Sequence, residues 1–254
     1  MGVLNVTPDS FSDGGRFLDP KAALEHARRL IGEGADLLDV GGESSRPGAQ
    51  PVPEPLELER ILPVLNGIRD FPVSVDTRRP AVMRAALEAG ASMINDIDAL
   101  ASPGALEAVA ASDCAVCLMH KQGDPATMQQ APRYDDVVAE VRGFLEKRIL
   151  ECERNKIEKN RVTIDPGFGF GKTPQHNFRL LRELAALTGL GVPVLAGWSR
   201  KSTLGAVTGR PVGERLAASL AAALLALQGG ATILRVHDVK ETRDVIAVWQ
   251  AWRR

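Results

Sequence analysis

Cysteine, uncompensated charge and long apolar runs are all scarce in this chain, and each shortage narrows what it can do. Three cysteines among 254 residues are too few, and odd in number, for a disulfide framework. Cys114 and Cys117 make a C-x-x-C, but they fall in or beside an apolar strand-like run. Residues three apart on a strand point to opposite faces and cannot share a metal, so small buried hydrophobes are expected instead. Lysine plus arginine (31) nearly balances aspartate plus glutamate (32), leaving a formal net charge of -1. That balance argues against a nucleic-acid partner and makes any anion site a local one. The longest apolar stretch, around 217–227, is interrupted by Ser219 and falls short of the ~20 residues a bilayer span needs, so no membrane partner is expected. Residues 1–5 contain neither a basic nor a long apolar region; no secretory signal is expected, and the cytoplasm is the expected compartment.

What the chain does contain is alternation. Short apolar runs at 2–6, 37–40, 73–75, 92–94, 115–119, 162–164, 193–196 and 232–234 are separated by segments of helical periodicity. In 20–33 the stripe is Leu24, Ala27, Leu30 and Ile31, and in 135–152 it is Val138, Val141, Leu145, Ile149 and Cys152. Further helices are expected at 54–68, 80–89, 103–112, 175–187, 213–228 and 239–252, several opened by Pro or by an Asp, Ser or Thr cap. Eight strand-helix units predict an α/β fold closed as a (β/α)8 TIM barrel rather than an open doubly wound sheet. With 44% apolar residues and no linker, repeat or low-complexity tract, one domain over 1–254 is expected.

Such a barrel places its chemistry at the C-terminal ends of its strands. There the chain has Asn5, Asp39, Asp76, Asn95, His120, Asp165, Ser199 with Arg200, and Arg235 with His237, a mouth suited to a polar ligand. The connections 7–19, 41–53 and 121–134 are too long for simple turns; the first two, dense in Gly, Ser, Asp and Arg, read as lids over a charged ligand. Asp76, Asn95 and Asp165 arrive from three strands and suit a ring edge bearing several N–H donors. Arg46, Lys201, Arg235 and His237 oppose them and indicate a phosphate ester or a pyrophosphate. Asn5 is too weak to hold a metal alone but can complete the shell of a Mg2+ bound mainly by phosphate oxygens and water. The segment 165–173 imitates two nucleotide motifs and satisfies neither: Pro166 stands where a P-loop needs Gly, and the spacing is G-x-G-x-G. It leaves an acidic strand end and a glycine-rich turn that lets Phe170 approach a ligand, or else a structural turn capped by Asp165. His26 and His176 lie in helical contexts and are read as surface or capping residues.

The sequence MGVLNVTPDSFSDGG at 1–15 resembles the opening signature of the dihydropteroate synthase family of pterin-binding enzymes, and GGESSRPG at 41–48 resembles its second loop. SVDT (74–77), INDI (94–97), LMH (118–120), DPGFGFGK (165–172), SRKS (199–202) and RVHDV (235–239) follow in family order. The resemblance implies a (β/α)8 barrel that pairs as a homodimer. It implies a transferase of folate biosynthesis and a sulfonamide target, joining p-aminobenzoate to 6-hydroxymethyl-7,8-dihydropterin pyrophosphate to give 7,8-dihydropteroate and pyrophosphate with Mg2+. Carried over by position, Asp76, Asn95 and Asp165 hold the pterin, Lys201 contacts it and Met119 lines the pocket. Asn5, Arg235 and His237 take the pyrophosphate and its Mg2+, while Ser45, Arg46, Pro47 and Ser202 surround p-aminobenzoate and the first phosphate. The implied mechanism is loss of pyrophosphate and capture of the resulting pterin methylene cation by the arylamine, with Asp165, Lys201, Arg235 and His237 as the catalytic set and no covalent nucleophile.

Ser45 stands where the family commonly has Thr, Lys121 where an apolar Met is frequent, and Trp198 is bulkier than expected. Family members usually carry residues ahead of this Met-Gly, so a further N-terminal segment is expected. Two alternatives stay open. A methyltetrahydrofolate:corrinoid methyltransferase barrel shares the pterin-reading positions but gives no reason for the basic cluster. A catalytically silent paralogue would lose a loop or pyrophosphate residue, and each of these positions keeps its chemical type. Leu216, Leu220, Leu224, Val245, Trp249 and Trp252 form a stripe on the last two helices that suits a subunit contact, although packing on the barrel accounts for most of it.

Overall fold

Alternation along each strand decides which side chains enter a barrel, and here it carries polar groups to the mouth and apolar ones to the wall. The computed structural model describes residues 1–7, 19–44, 51–124 and 127–254. Its strands are β1 (Gly2–Asn5), β2 (Leu38–Gly41), β3 (Val73–Asp76), β4 (Met93–Asp96), β5 (Ala115–Met119), β6 (Val162–Asp165), β7 (Leu195–Ala196) and β8 (Ile233–Leu234). β1 to β6 form one parallel sheet in sequence order, and β7 pairs with β8. Single bridges, Ile164 with Val194 and Gly2 with Val236, join the two sets. The ring closes where the Val3 N–H donates to the Val236 carbonyl at 2.9 Å and the Val236 N–H to that of Met1 at 2.9 Å. The expected (β/α)8 barrel is therefore the observed fold.

The helices are α1 (Pro20–Gly32), α2 (Glu54–Gly67), α3 (Pro80–Glu88), α4 (Ala105–Ala110), α5 (Val137–Arg154), α6 (Pro174–Arg182), α7 (Ala185–Thr188), α8 (Ser202–Thr208), α9 (Leu216–Gln228) and α10 (Val239–Trp252). Outward residues such as Leu4, Val40, Val75, Ile94, Val116 and Ile164 are fully or almost fully buried beneath them. Inside the barrel Met93, Cys117 and Leu195 make a separate apolar plug. Cys114 belongs to the outer core, so the two cysteines lie on opposite sides of the wall, buried as expected.

Four expectations are corrected. The helix expected at 103–112 is cut to α4 because Gly104, at φ 89°, opens it from a left-handed residue. The segment 175–187 divides into α6 and α7, and α9 starts only at Leu216, after a 3-10 turn at Val212–Glu214. α8 was not anticipated: at seven residues it is too short to display an amphipathic period. His26 is buried rather than superficial, and desolvation first, then Arg29 and Arg200, hold its imidazole down to about 4. His176 does cap: its N–H donates to Thr173 Oγ1 and its Nδ1 accepts the Thr173 N–H. Among the described residues no helix is long and apolar enough to cross a membrane.

Candidate active site

Strand register sets the floor of the mouth. Asn5, Gly41, Asp76 and Asn95 are aligned neighbours across β1 to β4, with Val3, Asp39, Ser74 and Met93 one inward layer deeper. Gly41 contributes no side chain at its place in the upper row, and a Cβ there would lie 3.5 Å from Asn5 Oδ1 and 3.6 Å from Asp76 Cβ. Between these rows, Arg235 donates from Nε to Asp39 Oδ2 at 2.6 Å and from Nη2 to Asp76 Oδ2 at 2.9 Å. Asn95 Nδ2 donates to the same Asp39 oxygen at 3.1 Å. Burial alone would neutralise such carboxylates. Desolvation pushes Asp76 up to about 7, opposed by Arg235 and reinforced by Asp39. Desolvation also works against the Arg235 charge, but Asp39 and Asp76 outweigh it and raise the guanidinium above its ordinary range.

The structure thus joins residues that sequence reasoning had assigned to opposite ends of the ligand. Arg235 was expected to face a pyrophosphate and Asp76 a ring edge; two buried carboxylates need a counter-charge, and Arg235 supplies it. Asp39, fully buried, had been given no role. Its signal was available in the period-two alternation: if Asp76 and Ser74 face inward, the register partners Gly41 and Asp39 face inward as well.

On the opposite wall, Asp165 ends β6 beside Met119 of β5, both buried. Its Oδ1 accepts the Gly167 N–H at 2.7 Å, so the local cap and the site carboxylate are one group. Desolvation raises its pKa, with that bond, Lys201, Arg235 and Lys172 pulling it back. Gly167 and Gly171 sit at φ 67° and 62°; a Cβ on the first would overlap the His120 carbonyl oxygen and on the second that of Gln122. The turn therefore lies against the β5 connection with no room for a side chain. Phe170 offers its ring to Lys201, whose Nζ stands 4.2 Å from the centroid.

Beneath this turn lies a residue that sequence reasoning missed. Lys172 is buried, and its Nζ donates to the carbonyls of Gly167 and Phe170 at 3.0 Å each and of His120 at 3.3 Å, with His120 Nδ1 at 3.0 Å. Desolvation lowers its pKa to about 7, with Asp165 opposing, and lowers that of His120 to about 3, assisted by Lys172. No periodic signal marks this lysine; it stands out only once the turn has folded over it. The chain's own departures also find places. Lys121 pairs with Asp98 at 2.9 Å, and Trp198 is buried between Phe168 and Phe178, centroids 4.6 and 5.5 Å away.

His237 follows β8, and its Nδ1 lies 3.0 Å from Ser199 Oγ. Ser202 is the first residue of α8 and is exposed. Asn5, Asp76, Asn95, Met119, Asp165, Lys201, Arg235, His237 and Ser202 all lie at strand ends or just beyond them on one face of the barrel. Ser45, Arg46 and Pro47 lie outside the described residues. Among the described residues no group of three or more His, Cys, Asp or Glu is arranged to hold a metal. Asn5, the residue expected to meet a Mg2+, offers a cation one neutral amide oxygen, which fits an ion carried mainly by ligand oxygens and water.

The pterin-binding enzyme family model matches residues 1–237. The dihydropteroate synthase of Haemophilus influenzae is 50% identical over 254 residues, covering 99% of this chain and 92% of that protein. That of Escherichia coli is also 50% identical, over 99% of this chain and 90% of that protein. Among solved structures, a Yersinia pestis dihydropteroate synthase in a sulfonamide drug complex superimposes with a TM-score of 0.97 at 47% identity, covering 100% of this chain and 93% of that one. A Xanthomonas albilineans dihydropteroate synthase with 4-aminobenzoic acid does so with a TM-score of 0.94 at 55% identity, covering 100% and 92%.

Proposed function

This chain belongs to the pterin-binding enzyme family and, within it, to the dihydropteroate synthases; we propose a division of labour among its strand ends for the reaction of that family. The reaction condenses 6-hydroxymethyl-7,8-dihydropterin pyrophosphate with p-aminobenzoate to give 7,8-dihydropteroate and pyrophosphate. The observation that carries our reading is the pairing of one arginine with two carboxylates across the mouth.

On this reading Asp76, Asn95 and Asp165 accept from and donate to the polar edge of the pterin, with Met119 against its face and Lys201 beside it. The ring's N–H donors take over Asp76, which loosens Arg235 from one of its two carboxylates and turns a guanidinium N–H toward the leaving pyrophosphate. His237 completes the anion's hydrogen bonds. Asp39 stays behind as the permanent counter-charge, so Arg235 never needs an uncompensated buried state. As the C–O bond to pyrophosphate breaks, positive charge grows on the pterin methylene, and the buried Asp165 carboxylate stabilises it. The amine of p-aminobenzoate, positioned by Ser45, Arg46, Pro47 and Ser202, then captures that carbon and releases a proton. No side chain here acts as a covalent nucleophile.

Asn5 suits Mg2+ as a minor partner, a single neutral oxygen beside a ligand that brings its own anionic ones. When bound, the ion supplies charge neutralisation on the leaving group. The reading extends to a homodimer formed through the outer face of α9 and α10, where Leu216, Leu225, Val248 and Trp252 are 37%, 49%, 68% and 71% exposed, and it places the enzyme in the cytoplasm.

The test is pyrophosphate release from dihydropterin pyrophosphate with Mg2+, with and without p-aminobenzoate, alongside Lys201→Ala. Release that requires the arylamine and collapses in the variant is expected. Tight pterin binding without turnover would instead favour a silent pterin binder.

A further inference from the structure

The residues proposed to receive the pterin pyrophosphate hang from the thinnest part of the barrel. β7 and β8 pair over two residues each and meet the rest of the sheet through single bridges. The connection after β7 carries Lys201 and leads into Ser202 at the start of α8, and β8 leads into Arg235 and His237. Backbone bonds across this seam run from the Thr232 and Ile233 N–H groups to the Val194 carbonyl and from the Arg235 N–H to that of Ala196, and beyond the strand ends a side-chain clasp ties the two loops together.

The clasp has two adjacent rungs. In the first, the His237 N–H donates to Ser199 Oγ at 3.1 Å, and the same oxygen lies 3.0 Å from His237 Nδ1. In the second, Arg200 donates from Nε to Asp238 Oδ2 at 3.1 Å and from Nη2 to Asp238 Oδ1 at 2.5 Å, a bidentate pair of fixed direction. Arg200 sits at φ 58°, a left-handed conformation that a side chain with a Cβ rarely adopts and that persists only where its surroundings over-determine it. Here they do. Its N–H donates to Ser219 Oγ at 3.0 Å, and its carbonyl and that of Lys201 accept from Arg215 Nη1 at 3.2 and 3.5 Å. The backbone reversal at Arg200 sets the direction in which the chain departs into Lys201.

We propose that Ser199 and the Arg200–Asp238 pair are positioning residues for this reaction, Ser199 by selecting the tautomer of His237 and the ion pair by fixing the chain path into Lys201. A serine hydroxyl has one hydrogen. With one of its two acceptor lone pairs taken by the His237 N–H, the hydroxyl still has its hydrogen to offer Nδ1, and donated there it leaves a neutral imidazole with its proton on Nε2. In that arrangement His237 presents an Nε2–H donor, which suits an anionic leaving group. The Arg200–Asp238 pair crosses the same gap one residue further along each loop, so Lys201 and His237 move together or not at all. The inference rests on the assignment of Lys201 and His237 to the pterin pyrophosphate.

The experiment is a kinetic double-mutant cycle on the purified full chain with Ser199→Ala, His237→Gln and the pair of them, beside Asp238→Asn and the conservative Ser199→Thr. Histidine tautomers are read by nitrogen NMR, and melting temperatures identify any variant that does not fold. Ser199→Ala is expected to lower kcat/KM for dihydropterin pyrophosphate roughly tenfold with little change in KM for p-aminobenzoate, and to shift His237 toward a mixture of tautomers. Ser199→Thr, which keeps the hydroxyl, should restore both. Asp238→Asn should lower the same kcat/KM by about two- to fivefold. The decisive arm is the cycle: in the His237→Gln background, loss of the Ser199 hydroxyl should cost nothing further. Equal losses in both backgrounds, or an unchanged tautomer, would overturn the positioning role. A His237→Gln variant with parental kinetics would instead sink the underlying site assignment, so the two failures are distinguishable.

Discussion

A single buried carboxylate, Asp39, lets one arginine serve two purposes. It accepts from both Arg235 and Asn95, and removing it leaves Arg235 with half its compensation and the Asn95 amide without that acceptor. Asp39→Ala is expected to destabilise the chain by about 3–5 kcal/mol in urea unfolding, the usual result of breaking a buried ion pair from one side, and to lower kcat/KM as Arg235 swings toward Asp76. The titrations of buried groups oppose one another in sign. His26 is held down to about 4, so between pH 6.5 and 4 the unfolded chain binds the proton that the folded chain refuses, and stability is lost as pH falls. Asp76 and Asp96 are both raised to about 7; they favour the folded chain when protonated, and their contribution is lost as pH rises from about 4 to 7. His26→Gln separates the two. Its melting temperature relative to the parent should rise as pH drops below 6.5, following about 1.4 kcal/mol per pH unit, whereas a constant offset would mean that His26 is not the group that charges.

At the scale of elements, the glycine-rich turn after β6 does more than reverse the chain. It places Asp165, Phe170 and, through Phe170, Lys201 against the β5 connection, with Lys172 bridging the two from below. Gly171→Ala would drive a Cβ into the Gln122 carbonyl at a left-handed φ. The expected cost is about 1–3 kcal/mol from the backbone conformation alone, read as a lower melting temperature together with a raised KM for the pterin substrate. An unchanged KM would show that the turn supports the fold without orienting the site. This part of the molecule was only half legible beforehand. Pro166 and the G-x-G-x-G spacing excluded both nucleotide motifs, but the reason for so many glycines is a neighbouring strand end, which no local pattern displays.

At the scale of the whole molecule, the large exposed apolar side chains among the described residues, Leu150 of α5 apart, gather on α8, α9 and α10 and the turn between α8 and α9, with Val207 64% and Val212 49% exposed beside Leu216, Leu225, Val248 and Trp252. More of this surface is exposed than the stripe on the last two helices suggested, since Val245 and Trp249 pack on the core while Val248 and Trp252 do not. Val248→Asp is expected to convert a homodimer to a monomer in light scattering with the fold intact; a parental mass would place the subunit contact elsewhere. The barrel itself was legible in the sequence because its two signals are local: strand runs of alternating polarity, and amphipathic helices such as α1 and α5 long enough to show their period. Of the elements too short for a period, α4 and α7 were read only as parts of longer helices, and α8 escaped. So did the partnerships at the mouth. Sequence order and residue type were enough to say that Asp76, Asn95, Asp165, Lys201, Arg235 and His237 meet at one end, because strand ends converge in any closed barrel. That Arg235 answers Asp39 and Asp76, that Lys172 lies under the turn, and that Ser199 faces His237 followed only from folding. The pairings of Arg235 and of Ser199 join residues 38 to 196 positions apart, set by barrel closure and by the need of each buried charge for a counter-charge.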